Sequence, residues 1–445
     1  MDRRTTPSVS NFVWIDGELC RDRPAELRVG EQPGSRCTGQ YAIHVEYAGR
    51  HTLIRDALGV VKLFFAVTPG GAVHSSNYIT GLVQRGHRLA DINSVPSGHV
   101  LRIEPGSRTY ELRPHTVISF AGGDGPSLEV CAAGIRHELS AVFALIAGVA
   151  EARPIYITLS GGLDSTVIAA LACEHLRRPV GLTFVLNEDR GAATQQSDLW
   201  HATRVARRFG IDLEVIEVSA EELVAHLDDV LLYGQDHRDF NVHCGVVNDA
   251  IARWLAARHP AHLRPLVLTG DGMNELVADY TPVSYRGHRY YDLPDLPAER
   301  LRRFLLAGLD AGDREVGIFA AHGIDVIQPY LLCAQAYAAI PGRFLDSETS
   351  KQKLVQHVMG DRVPQHVYDR PKVRAQVASS NEVRGSLAAL VARGIDADAL
   401  ARRLAALFGT TLEQIRGLIR GGLYRFATSY DQIAQRAVMT GRDHA

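Results

Sequence analysis

Apolar and polar positions fall into two textures along the chain, and each predicts its own kind of element. The first 120 or so residues are short and alternating. Tyr41-Ala42-Ile43-His44-Val45-Glu46-Tyr47 alternates into a turn at Ala48-Gly49-Arg50, and His51-Thr52-Leu53-Ile54-Arg55 resumes beyond it, which predicts a β-hairpin. Leu63-Phe64-Phe65-Ala66-Val67, followed by a Pro69-Gly70-Gly71 turn, and His99-Val100-Leu101-Arg102-Ile103 predict further strands. A run of turn formers from Ala121 to Pro126 then sets the expected boundary, with one domain over 1–122 and a second over 127–445.

After the boundary, strands and helices alternate. Ser127 can cap a helix running to about Ala150. Strands are predicted at 155–159, 180–186, 213–218 and 266–268, with helices over 163–176, 197–209 and near 248–257 between them. The strands are almost continuously apolar, so both faces of their sheet must be covered. That predicts an α/β, doubly wound parallel sheet, followed by a mostly helical C-terminal third.

Composition changes this picture little. A length of 445 residues makes two domains the default, and 46% hydrophobic with 22% charged residues is ordinary for a globular chain. The net charge of −2 gives no pull toward nucleic acid or anionic membrane, and neither is expected as a partner. Basic pairs such as Arg302-Arg303 and Arg402-Arg403 read as solvated helix faces. Met1-Asp2-Arg3-Arg4 leads into polar residues, the longest apolar run covers only 141–150, and the six cysteines include no C-x-x-C pair. These features predict a cytoplasmic protein with reduced thiols.

Chemistry enters at Ser160-Gly161-Gly162-Leu163-Asp164-Ser165, between a predicted strand and a predicted helix. Two glycines let backbone N–H groups approach an anion, the helix adds its positive N-terminal end, and Ser160 and Ser165 supply hydroxyls. Asp164 would repel bound phosphates unless a cation mediates, so this loop predicts a phosphate group with Mg²⁺. These residues resemble the PP-loop of the ATP pyrophosphatases, which cleave ATP between the α- and β-phosphates. The Lys-Ser/Thr ending of a P-loop is absent.

Further segments are similar to one branch of that group, the asparagine synthetase and β-lactam synthetase superfamily. They are Arg55-Asp56-Ala57-Leu58-Gly59, Pro96-Ser97-Gly98, Leu268-Thr269-Gly270-Asp271-Gly272-Met273-Asn274-Glu275, the His322–Leu331 stretch, and Pro364 with Tyr368-Asp369-Arg370-Pro371-Lys372. The resemblance covers roughly 35–375 and implies a degenerate, Ntn-hydrolase-like β-rich sandwich before the PP-loop synthetase domain. Asparagine synthetases open on a cysteine that hydrolyses glutamine; here residue 2 is Asp2, and Cys20 lies too deep to serve. An N-terminal region unable to draw ammonia from glutamine is therefore expected, as in the β-lactam synthetases, whose R-P-K segment Arg370-Pro371-Lys372 matches.

Residue roles follow from the resemblance. Ser160, Gly161, Gly162, Asp164, Ser165, Val185 and Gly270 would lie against the nucleotide. Lys372 would stabilise charge on the phosphates, and Asp271 paired with Asp313 would position and deprotonate the attacking amine. Position 274 usually carries an aspartate that helps bind Mg²⁺-pyrophosphate; with Asn274 there, Asp164 and Glu275 are the expected metal ligands. Lys351 and Lys353 could reach phosphates or form a plain helix face, and His243-Cys244 reads as structural. The expected function is an ATP-dependent amide synthetase acting on a small carboxylate and amine in natural-product biosynthesis, as a possible homodimer. A peptide macrolactam cyclase and a catalytically weak scaffold are the alternatives.

Overall fold

The structure, a computed structural model, describes residues 7–20, 37–106, 110–122, 125–188, 197–310, 312–347, 349–374, 376–378 and 383–420. Asp2, Gly123, Asp124 and Ala311 lie outside the described residues. Three antiparallel sheets build the N-terminal region. The first has the order β2-β1-β3, from β1 (Phe12–Ile15), β2 (Glu18–Leu19) and β3 (Cys37–Gln40). The predicted hairpin forms as β4 (Ala42–Tyr47) and β5 (Arg50–Arg55), with Ala48 and Gly49 both at positive φ in its turn. A third sheet pairs β6 (Phe64–Val67) with β7 (Val73–Ser76) and β8 (Asn93–Ser94), and β9 (His99–Ile103) and β10 (Glu111–Pro114) extend the hairpin sheet.

The alternating half gives way to a long helix, Leu128–Ala150, whose cap is Ser127 accepting from the Val130 amide. By length and composition this helix could cross a bilayer. Here it buries Ile135, Leu139, Val142, Phe143 and Ile146 at helical spacing, against the Ser350–Met359 helix and others. The parallel sheet follows, with β11 (Ile155–Thr158), β12 (Val180–Leu186), β13 (Asp212–Val218) and β14 (Leu266–Leu268). A small hairpin, β15 (Val283–Tyr285) and β16 (His288–Tyr290), precedes the last parallel strand, β17 (Asp325–Ile327). Strand order is β13-β12-β11-β14-β17, so the chain winds outward in both directions from β11. The fold is mixed α/β.

No gap in packing separates the two textures. One buried cluster runs from Phe12 and Leu53 through the parallel sheet to Leu404. Polar joints reinforce it. Gln40 on β3 accepts from the Gln328 amide at 2.7 Å, and buried Arg55 donates to three local carbonyls while ion-pairing with Asp310 at 2.6 Å. Arg55 thus ties the sheets to the C-terminal half through Asp310, and the Asp56 carboxylate secures the turn beside it by accepting from the amides of Tyr41, Val60 and Val61. Arg302, expected on a solvated face, is fully buried beneath the Phe120 ring, and its pKa is lowered to about 10 by burial.

Candidate active site

In a doubly wound sheet, ligands bind beyond the carboxyl ends of the strands where the winding direction switches. Here that crevice lies between β11 and β14. The loop leaving β11 is Leu159–Gly162, and the loop leaving β14 carries Gly270 and Asp271. They touch, because a Cβ on Gly270 would stand 3.0 Å from the Ser165 amide nitrogen. Gly161 has φ +70°, and a Cβ there would lie 2.4 Å from the backbone of the Asp198–Phe209 helix, so no larger residue fits. Gly162 caps the Leu163–His175 helix, whose amide end faces the cavity. The Ser160 and Ser165 hydroxyls lie 3.2 Å apart at that end.

The loop forms one wall of a cavity of about 900 Å³. That is enough for a nucleotide and a small second substrate. Beside the loop, Arg370 donates to the Ser160 carbonyl at 2.9 Å and ion-pairs with Asp198, which holds the loop to its neighbouring helix. Burial pushes the Asp198 pKa up despite Arg370. Deeper in, Lys351 Nζ donates to Asp164 Oδ2 and Asn274 Oδ1, both at 2.7 Å, and lies 3.3 Å from Asp279 Oδ2. Lys372 Nζ is 2.6 Å from Asp279 Oδ2 and 3.3 Å from Asn274 Oδ1. Burial opposes ionisation of Asp279, but the two lysines outweigh it and hold its pKa below the usual carboxylate range. Burial and the neighbouring Lys351 lower Lys372 to about 8 against the pull of Asp279.

The opposite wall is differently arranged. Arg314, nearly buried, forms a fork on Asp271, with Nε 2.8 Å from Oδ2, and also reaches Glu275 Oε1 at 2.8 Å. The Tyr280 hydroxyl donates to Glu275. Glu315 lines the cavity beside Asp271, accepting from Thr269 Oγ1 and Gln328 Nε2, each at 2.7 Å. Burial, with the Asp271 charge adding to it, pushes Glu315 up to about 8. Gln328 Nε2 also stands 3.4 Å from Asp271 Oδ2, so one amide joins the two acids.

Of the residues the sequence nominates, Ser160, Gly162, Asp164, Ser165, Gly270, Asp271 and Lys372 line this cavity. Gly161 sits behind the loop, against the Asp198–Phe209 helix. On β12 the lining residues are Leu182, Thr183 and Phe184; Val185 is not among them. Asp313 does not pair with Asp271. Its carboxylate accepts from the Glu315 and Gly317 amides at 2.8 and 2.6 Å and starts the Val316–Ala321 helix, leaving Arg314 and Glu315 to face Asp271. Glu275, expected as a metal ligand, is not among the residues lining this cavity; it is buried, with its Oε1 taken by Arg314 and Tyr280. Asp279, Arg314, Glu315 and Arg370 were missed. Arg314-Glu315 directly follows Asp313, the neighbouring acid that the resemblance points to.

Mg²⁺ prefers carboxylate and water oxygens. The Asp164 carboxylate and neighbouring oxygens grouped around Lys351 Nζ are a hard-oxygen set that fits such an ion. Among the described residues no three His, Cys, Asp or Glu side chains could hold a metal by themselves. Bound phosphates and water would therefore complete the shell.

Comparison with known proteins bears on the same region. Residues 147–315 match the asparagine synthase family model. The bovine glutamine-hydrolysing asparagine synthetase is 23% identical over 345 residues, covering 72% of this chain and 59% of that one. The amidase chyE of Penicillium rubens is 24% identical over 55% of this chain and 40% of its own. The chain thus spans about three fifths of the length of the bovine relative. Among solved structures, a Francisella tularensis NMN synthetase aligns over 66% of this chain and 92% of its own, at 14% identity and a TM-score of 0.31, too slight a likeness to argue from. The chain is thus similar to the asparagine synthase family over residues 147–315 and, at 23% identity, to the asparagine synthetases.

Proposed function

We propose that this protein is an ATP-dependent C–N ligase of small-molecule natural-product biosynthesis. It would adenylate a substrate carboxylate, release pyrophosphate, and pass the acyl group to an amine without hydrolysing glutamine. The observation that carries this reading is one cavity with a phosphate loop and two lysines at one end and a proton-accepting acid pair at the other.

The Ser160–Ser165 loop and the N-terminus of the Leu163–His175 helix would hold the ATP phosphates. Lys351 and Lys372 point at the same place and would neutralise charge on the departing pyrophosphate. Mg²⁺ bound at Asp164 would supply further neutralisation of the phosphate oxygens. A substrate carboxylate oxygen attacks the α-phosphorus, and the bond to the bridging oxygen of pyrophosphate breaks. The amine nitrogen then attacks the acyl carbon, AMP leaves, and the amine proton passes to the pair Glu315/Asp271. A carboxyl near 8 suits this task, because a base works best when its pKa lies close to the working pH.

The nitrogen donor proposed is an amine in the cavity. In the N-terminal sheets the Cys37 thiol is pushed up by burial and is bonded to Tyr41, a poor state for a nucleophile. The test is pyrophosphate release from ATP with a panel of amino-acid-derived acids, with and without amine and with glutamine as a separate arm. Acid-dependent release and an amide product support the reading. Absence of nucleotide binding in Mg²⁺ would sink it, and glutamate formed from glutamine would refute the donor assignment.

A further inference from the structure

The phosphate end of the cavity contains an internal cation site already built. Lys351 Nζ is surrounded by oxygens of three residues: Asp164 at 2.6 Å, Asn274 at 2.7 Å and Asp279 at 3.3 Å. Of the other acids lining this cavity, Asp346 is exposed, and three are engaged by neighbouring side chains. Asp198 is bound to Arg370, Asp271 to Arg314, and Glu315 is hydrogen-bonded to Thr269 and Gln328. Asp164 and Asp279 share the Lys351 ammonium, Asp279 pairs with Lys372 as well, and both keep about a fifth of their side-chain surface (21%) open. Asn274 contributes only its amide oxygen, which accepts from both lysines.

Resting on the ATP-dependent reading above, we infer that Asp279 is the second carboxylate of the metal–pyrophosphate site, with Asn274 reduced to a neutral spacer for Lys351 and Lys372. The backbone explains how a residue five positions away can reach the same place. The Met273–Val277 helix ends at Ala278 in the left-handed region, φ 54°, and the Asp279 amide returns to the Asn274 carbonyl at 3.0 Å. This reversal brings Asp279 back beside the side chain of Asn274, where Lys351 touches both. A neutral amide oxygen binds a hard dication poorly, while a carboxylate here faces the loop that holds phosphate. Lys351 sits in the centre of this oxygen cluster. With metal and nucleotide present it would turn to the phosphates, and the oxygens it leaves would take the ion.

The experiment compares the wild type with Asp279→Asn, Asn274→Asp and the double variant Asn274→Asp/Asp279→Asn. Mn²⁺ binding is read by electron paramagnetic resonance with α,β-methylene-ATP, and binding of the same nucleotide in EDTA by calorimetry. Asp279→Asn should weaken Mn²⁺ about tenfold or more, since even outer partners of metal ligands cost 10- to 100-fold. In EDTA the same variant should bind nucleotide equally or more tightly, because two lysines lose their counter-charge. The double variant should recover most of the Mn²⁺ affinity. Opposite signs for metal and nucleotide separate a ligand from a merely structural residue. Unchanged Mn²⁺ affinity in Asp279→Asn, with nucleotide still bound, would overturn this inference and leave the ligase reading standing. Failure of the wild type to bind nucleotide at all would overturn both.

Discussion

The two ends of the cavity use the same residue types and tune them in opposite directions. At the end next to the Ser160–Ser165 loop, Asp164 and Asp279 face two lysines, and Asp279 is held below the usual carboxylate range. At the other end, Asp271 and Glu275 are fixed on one nearly buried arginine, and Glu315 is pushed up to about 8. What separates them is the kind of cation, since Lys351 is as buried as Arg314. Lys351 and Lys372 can swing from carboxylate to phosphate, while the planar fork of Arg314 is locked under Phe240. One end is suited to exchanging charge with a ligand, and the other to taking up a proton near neutral pH.

Removing Arg314 should break this contrast most severely. Arg314→Met leaves Asp271 and Glu275 buried without a counter-ion, and breaking a buried pair costs about 3–5 kcal/mol. Urea denaturation should show a fall of that size at neutral pH. Much of it should return in acid, where the stranded carboxyls are protonated. A loss below about 1 kcal/mol would mean that the triad contributes little to the fold.

Lys372→Ala should act on catalysis rather than on the fold. Pyrophosphate release is expected to fall by about 10²-fold or more, as for removal of a group that stabilises transition-state charge. The effect of the substitution on stability should depend on pH. Lys372 has a folded-state pKa of about 8, below its ordinary value, so between about 8 and 10.4 the unfolded chain binds more protons at this site. The Lys372 contribution to stability therefore rises with pH across that window, and the alanine variant should lack this rise. Thermal melts at pH 7 and 9.5 on both proteins check the sign.

Glu315→Gln tests the other end by pH profile. The base must be unprotonated, so kcat/KM should climb with pH toward about 8, while Lys372 must stay protonated, so it should decline above about 8. The wild type should give a narrow bell centred near 8. In Glu315→Gln the rising limb should vanish, with a loss on the order of 10²-fold, and the falling limb should remain. An unchanged rising limb would assign the base elsewhere. Stability offers an independent sign. Glu315 keeps its proton in the fold while the unfolded chain gives it up, so its contribution declines between about pH 4.3 and 8, a decline the glutamine variant would lack.

Legibility from sequence tracked the range of the interaction involved. The strand over 180–186 and the helix capped by Ser127 follow from local pattern, and both form as expected. The turn over Ser160–Ser165 is legible because strand, glycines and helix start are contiguous in the chain. Asp164 and Lys351, by contrast, meet across 187 positions, and hydropathy carries no signal for that contact. The Arg302-Arg303 pair shows the same limit: only tertiary packing places Arg302 under Phe120 and leaves Arg303 outside. Asp279 escaped because its approach to Asn274 depends on one left-handed residue, Ala278, which is not a glycine and gives no turn signal.

The smallest expected effect concerns Asp313, where the sequence reading and the structure disagree. Its carboxylate accepts two amides at the start of the Val316–Ala321 helix, at 2.8 and 2.6 Å, and has no contact with Asp271. A helix-start acid of this kind contributes about 1 kcal/mol, so Asp313→Ala should lower stability by that amount. One of the two amides belongs to Glu315, so loosening it should slightly blur the placement of that carboxyl. The expected fall in pyrophosphate release is therefore under about tenfold, or less than 1.4 kcal/mol, against about 10²-fold for Glu315→Gln. A shared role as base predicts the reverse order, with Asp313→Ala as damaging as the loss of Glu315 and no loss of stability. Measuring both variants by the same pyrophosphate assay and the same urea titration separates the two outcomes, because a cap and a base differ in which measurement they move.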